Sequence, residues 1–116
     1  MIRFFVFDTN ALISAHLKES SPSAHAFDKA MAAGTIVFTA ITFNEFATRF
    51  ARQKFQKYMP DEDRAEAIAR LKEASLFFAE PTIEIKACRD RDDDKFLSLA
   101  VAVGAQCIAT GDGKLQ

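Results

Sequence analysis

An α/β fold, with a central parallel sheet and helices on both faces, is what this sequence of 116 residues predicts. Three observations point to it. Short runs of apolar, β-forming residues recur along the chain and suit strands buried on both faces. Longer stretches with apolar residues at helical spacing lie between them. Turn and cap residues sit where each run ends, so strands and helices alternate, and that alternation is the signature of parallel strands joined by helical crossovers.

The first strand is Phe4-Phe5-Val6-Phe7, which stops at Asp8-Thr9-Asn10 and gives way to a short helix through Ala11, Leu12, Ile13 and Ala15. Ser20-Ser21-Pro22-Ser23 opens a second helix that runs to about Ala33, with Gly34 as its stop. Thr35-Ile36-Val37-Phe38-Thr39 reads as the second buried strand. Thr42, with Glu45 three residues on, has the spacing of a capping box. The helix it would start carries Phe43, Phe46, Ala47, Phe50 and Ala51 on one face. Pro60-Asp61-Glu62 opens a further helix, amphipathic through Ala65, Ile68, Ala69 and Leu71. Leu76-Phe77-Phe78-Ala79 is a third strand. Asp92-Asp93-Asp94 precedes an apolar helix from Phe96 to Val103 closed by Gly104, and Gln106-Cys107-Ile108-Ala109-Thr110 is the last strand.

Composition narrows the function classes. Nearly half of the residues are apolar, enough for one packed core, and no linker or repeat divides the chain, so a single domain over residues 1–116 is expected. A formal net charge of −1 excludes a uniformly basic nucleic-acid binder but leaves room for local patches. Cys88 and Cys107 make no CxxC pair, and no His/Cys group has zinc spacing, so both read as reduced structural cysteines. The apolar run after Met1-Ile2-Arg3 is too short for a signal peptide or a membrane span, and a cytoplasmic location is expected.

Chemistry concentrates at the strand ends. In open parallel sheets, sites form beyond the carboxyl ends of the strands. Asp8 follows the first strand and Asp112 the last; Glu45 lies in the first turn of the helix after the second; Asp92, Asp93 and Asp94 lie at the start of the helix leading to the last. A single acid at a helix start is often only a cap, worth about 0.5–1 kcal/mol. Several acids converging on one rim repel one another unless a cation or proton neutralises them. Such hard oxygen donors suit Mg²⁺ or Mn²⁺ rather than zinc. A water held on that ion can attack a phosphodiester.

Phe5-Val6-Phe7-Asp8-Thr9-Asn10 with Leu12 and Ile13, then Glu45, then the block from Cys88 through Asp92-Asp93-Asp94-Lys95-Phe96-Leu97, then Thr110-Gly111-Asp112, resembles the PIN domain. The branch most similar to it is that of PIN-family toxin components of toxin–antitoxin systems, related to VapC-like toxins. The resemblance implies a three-layer α/β/α fold and an Mg²⁺- or Mn²⁺-dependent endoribonuclease acting on single-stranded RNA. It also implies a cognate antitoxin and a second copy of the chain as partners. Position by position, Asp8, Glu45, Asp93 and Asp112 match the family's catalytic, metal-binding acids, with Asp94 taking the third place if the register shifts by one. Thr9, Asn10 and Thr110 match polar positions that steady the site, and Asp90 reads as a cap or as support behind the ligands. The family continues further past the Thr-Gly-Asp block than this chain does, so the C-terminal end is expected to be short.

Arg49, Arg52, Lys54 and Lys57 fall in one stretch with no acid among them. They form either a solvated helix face or an RNA-binding rim, with Arg49 and Arg52 nearest Glu45. Phe43, Phe46, Phe50 and Phe55 read as core or interface rather than base-stacking residues. His16 and His25 acquire no role. Two other functions compete. A haloacid-dehalogenase-type phosphatase also uses a strand-end Asp, but it wants an acid two residues later, where this chain has Asn10, and it leaves Glu45 idle. A catalytically silent interaction module would not require acids at all four positions.

Overall fold

The computed structural model describes residues 2–82 and 91–109, in the second segment with side chains from Asp94 onward. The chain runs through β1 (Phe4–Phe7), α1 (Thr9–Leu17), α2 (Pro22–Ala33), β2 (Thr35–Phe38) and α3 (Ala40–Phe50). A 3-10 turn at Gln53–Phe55 leads to α4 (Asp61–Ala74), β3 (Leu76–Phe77), α5 (Arg91–Val103) and β4 (Cys107–Ala109). The strands pair in the order β3-β2-β1-β4, all parallel. Phe5 is opposite Ile36 on one side and Cys107 on the other, so β1 is interior. The chain lays down β2 and β3 to one side of β1, then returns to its other side with β4. Winding therefore reverses at β1, which opens a crevice at its carboxyl end.

Alternation along the strands feeds two cores. Phe7, Ile36 and Phe38 pack with Ala11, Leu12, Ala30, Phe43, Phe46, Phe50 and Leu71 from α1 to α4. Val6 and Val37 point the other way, onto Phe96, Leu99 and Ala100 of α5. The result is a three-layer α/β/α arrangement. Among the described residues no helix is long and apolar enough to cross a membrane.

Local chemistry sets the boundaries, with some departures from the sequence-based expectations. Ser21 caps α2 through Ala24 N–H at 3.1 Å, with Pro22 in its first turn. α3 is capped by Thr39, not Thr42. Thr39 Oγ1 accepts from Thr42 N–H at 3.2 Å, and Thr42 Oγ1 accepts from Thr39 N–H at 2.9 Å. β2 ends at Phe38 and leaves Thr39 extended, so the helix begins earlier and Glu45 falls in its second turn. α5 begins at Arg91, which puts Asp92, Asp93 and Asp94 inside its first turn rather than before it. Ala51 is exposed because it is the C-terminal cap of α3.

On α4 the inward face is Arg64, Ala67, Ile68 and Leu71, while Ala65 and Ala69 are exposed. Arg64 and Leu71 lie two turns apart and fix the helical phase. Cys107 is exposed on an edge strand rather than structural and buried, and Cys88 lies outside the described residues.

Arg64 is 1% exposed. Its guanidinium donates to the carbonyls of Phe50 (2.6 Å), Arg52 (3.0 Å) and Met59 (2.9 Å), and also to Gln56 Oε1 and the Asp61 carboxylate. One buried side chain thus satisfies the end of α3 and ties down the whole connector to α4.

Gly34 closes α2 with an extended backbone, φ −173°, so no left-handed conformation demands glycine there. The constraint is contact: a Cβ at this position would overlap the Arg3 carbonyl oxygen and lie 2.9 Å from its carbon. That oxygen accepts from Thr35 N–H at 2.8 Å, where β1 and β2 first meet. Gly104, by contrast, has φ +67° and ends α5 with Ala105 N–H on Ala100 O at 2.9 Å. Gly34→Ala is expected to destabilise the protein by roughly 1–3 kcal/mol, since backbone rather than a flexible side chain must yield. A urea midpoint equal to the parent's would show that this approach is not tight.

His16 lies against Phe27, Phe46 and Phe50, with ring centroids 5.3–5.7 Å away, and its Nδ1–H donates to Leu12 O at 2.7 Å. Burial pushes the imidazole below its ordinary pKa, and the bond to Leu12 only partly offsets this. The unfolded chain therefore takes up the proton at higher pH than the folded one, and stability falls with pH below about 6.5. Melting temperature should drop between about pH 7 and pH 5, and His16→Leu should flatten that drop. Equal slopes for the two proteins would exclude His16 as its source.

Candidate functional site

The carboxyl end of β1 carries Asp8. Its backbone N–H donates to Ala109 O of β4 at 3.0 Å, and its Oδ1 accepts from Ala11 N–H at 2.7 Å, capping α1. The side chain is 5% exposed. Strand pairing and helix capping thus hold this carboxylate in the crevice where the sheet reverses its winding.

Thr9 follows in the first turn of α1, is buried, and donates from Oγ1 to Glu45 Oε2 at 2.5 Å. Glu45 Oε1 accepts from Lys95 Nζ at 2.9 Å and from Arg49 Nη2 at 3.0 Å. One carboxylate on α3 therefore joins α1 to α5. Its side chain is 15% exposed, with Lys95 at 26% and Arg49 at 37%. At that exposure the ion pairs are better partners than fully solvated ones, and Thr9 fixes the oxygen that the cations leave.

Asp94 precedes Lys95 on α5 and is 4% exposed; Ser98, one turn on, is also buried. Asp8, Asp94 and Ser98 are all engaged by neighbours. The crevice thus gathers Asp8, Thr9 and Glu45, with Lys95 reaching in from α5. Among the described residues no three acidic, histidine or cysteine side chains converge closely enough to enclose an ion by themselves. The side chain of Asp93, and the whole of Asp90, Thr110 and Asp112, lie outside the described residues. The donors present are oxygens, a set that fits a hard divalent cation and not a soft one.

Asn10 takes another direction. It is exposed and lines a cavity of about 460 Å³ with Ser14, Arg49 and Arg52. Arg49 belongs to both places, as a partner of Glu45 and as a wall of this cavity.

Lys95 is the contact that sequence reasoning passed over. A lysine directly after three aspartates reads as a solvated counter-charge, and nothing local indicates that it reaches back fifty positions to Glu45. Arg64 was missed for a similar reason. A signal existed: it occupies an apolar position of its helix, one turn before Ile68 and two before Leu71.

A family model described as the PIN domain matches residues 5–114. An uncharacterized protein of Methanocaldococcus jannaschii is 28% identical over 111 residues, covering 95% of this chain and 71% of that protein.

Thr9→Val keeps the shape of the side chain but removes the neutral donor to the Glu45 carboxylate. It should cost about 1 kcal/mol in urea denaturation, the usual worth of a hydrogen bond whose acceptor retains other partners. A loss of about 3 kcal/mol or more would instead mean that Glu45 is left unpaired when Thr9 is removed.

Proposed function

The chain belongs to the PIN-domain family, a nuclease family, and on that premise we propose that it is an Mg²⁺- or Mn²⁺-dependent endoribonuclease cutting single-stranded RNA. The observation that carries this reading is the Thr9–Glu45–Lys95 bridge beside the buried Asp8 at the carboxyl edge of the sheet. Asp8, Glu45 and Asp112 would hold the metal together with an acid from the Asp93-Asp94 pair, which we assign to Asp94, a buried residue next to Lys95. When bound, a divalent ion supplies a water activated for attack and neutralises charge on the phosphate.

The chain's own residues do the rest. The Asp8 carboxylate is oriented by the Ala11 N–H, and Glu45 by Thr9. Lys95 and Arg49 offset the negative charge that would otherwise repel a polyanion from this crevice. Arg49 and Arg52 meet the RNA backbone, positioning it without reading its sequence. A role as the toxin of a toxin–antitoxin pair, with an antitoxin and a second copy of the chain as partners, is supported by the resemblance of Asp8-Thr9-Asn10, Asp92-Asp93-Asp94 and Thr110-Gly111-Asp112 to such toxins.

Asp8→Asn tests the proposal cleanly, because asparagine also caps a helix. The parent should cut a labelled single-stranded RNA with Mn²⁺ and not with EDTA, and the variant should lose more than about 100-fold, beyond what supporting residues cost. At about 100-fold excess over Kd, Mn²⁺ should stabilise the parent by about 2.7 kcal/mol and the variant by less. Asp94→Asn should be inactive and Asp93→Asn active; the reverse result would move the third ligand to Asp93. Undiminished cleavage by Asp8→Asn, or a parent that ignores Mn²⁺ in both assays, overturns the assignment.

A further inference from the structure

A second site lies beside the acidic crevice. Its walls come from three places: Asn10 and Ser14 on α1, Arg49 near the end of α3, and Arg52 and Lys54 on the connector to α4. The cavity of about 460 Å³ is lined by three cations and two neutral polar side chains, beside Ile13 and Phe55, and by no carboxylate among the described residues. That volume is in the range of small-ligand pockets, ample for a phosphate with its attached sugar.

The pocket is built rather than incidental. Its connector wall would be a loose surface segment if left to itself. Arg64, buried beneath it, takes the carbonyls of Phe50 and Arg52 and so anchors both ends of the stretch between Arg49 and Arg52. The carboxyl end of a helix ordinarily repels anions. Here the guanidinium of Arg64 occupies a carbonyl at the end of α3, removing part of that repulsion just where the pocket opens. Lys54 is steadied too. Its ammonium lies 5.1 Å above the ring of Phe55, which itself packs on the core.

We infer that this pocket seats a backbone phosphate of a single-stranded nucleic acid, one or more nucleotides away from the bond at the acidic crevice. Arg49 links the two sites, since it touches Glu45 and also lines the pocket. A strand gripped here by Arg52 and Lys54, with hydrogen bonds from Asn10 and Ser14, is aligned along α1 toward Asp8. The inference rests on the nuclease reading for the class of ligand. It goes beyond that reading in assigning a discrete subsite, and in adding Lys54, Asn10 and Ser14 to it.

The test uses binding, not cleavage. Asp8→Asn protein in EDTA is titrated with a fluorescent oligouridylate, and affinity is followed by anisotropy between about 50 and 200 mM salt. Adding Arg52→Ala and Lys54→Ala should weaken binding and reduce the slope of log affinity against log salt by about 0.7, the share of the one phosphate they hold. Both residues are exposed, so the melting temperature should not move. Lys29→Ala with Lys72→Ala, on α2 and α4 outside the lining, should leave the slope unchanged. A pocket variant whose slope equals its parent's overturns the inference, as does a control pair that lowers the slope equally. Inorganic phosphate at the same concentration should compete poorly with the strand. Competition as strong as the strand's own would make this a free-phosphate site and overturn the strand assignment. Binding through the pocket, together with no cleavage by the chain that keeps Asp8 in Mn²⁺, sinks the nuclease reading alone; cleavage by that chain together with an unchanged slope sinks the pocket alone.

Discussion

The N–H of Asp8 on the carbonyl of Ala109 joins the first strand to the last, and the carboxylate of the same residue starts α1. A parallel sheet with β1 inside forms only if that pairing is made, because among the described residues β4 has no other neighbour in the order β3-β2-β1-β4. A conflict is built into this arrangement. Asp8 is nearly inaccessible, and a buried carboxylate is tolerated only when hydrogen bonds or cations replace its water. The Ala11 N–H meets part of that demand from within the fold, so the acid is held in place by the structure it helps to close.

Charge is then handled in layers around it. Glu45 is the meeting point, with Thr9 on one oxygen and Lys95 and Arg49 on the other. These contacts draw α1, α3 and α5 together across the top of the sheet, which apolar packing below could not do with the same directionality. Arg49 carries the arrangement outward to a basic pocket, so acidic and basic surfaces adjoin without cancelling. A polyanion needs both: oxygen ligands at the point of chemistry and cations where the rest of the strand lies.

Two buried or half-buried cations therefore have opposite tasks. Lys95 faces a carboxylate from across the molecule, whereas Arg64 faces mainly carbonyls of its own neighbourhood. Arginine suits the second task because its fork spreads donors over several acceptors at once. The connector it holds contains only a single 3-10 turn, yet it carries Arg52, Lys54 and Phe55.

Local chemistry was legible in the sequence wherever it acts over a few residues. The strands at Phe4–Phe7 and Thr35–Phe38 announce themselves by continuous apolar runs, and α2 by Ser21, Pro22 and Gly34. Acids following strands could be read off directly, as could the basic stretch from Arg49 to Lys57. The choice between Thr39 and Thr42 as the cap was not legible, because both are threonines with helix ahead, and only the end of β2 pairing decides between them. Nor was the parting of Thr9 and Asn10, adjacent polar residues of which one turns to Glu45 and the other to the basic pocket. What the sequence by itself determined is the alternation of elements and the kinds of side chain at their ends. Tertiary structure alone decided that Glu45 meets Thr9 across thirty-six positions and Lys95 across fifty. The reason is physical. Periodicity and capping depend on neighbours along the chain, whereas these contacts exist only after parallel crossovers have brought distant helix ends to one edge of the sheet.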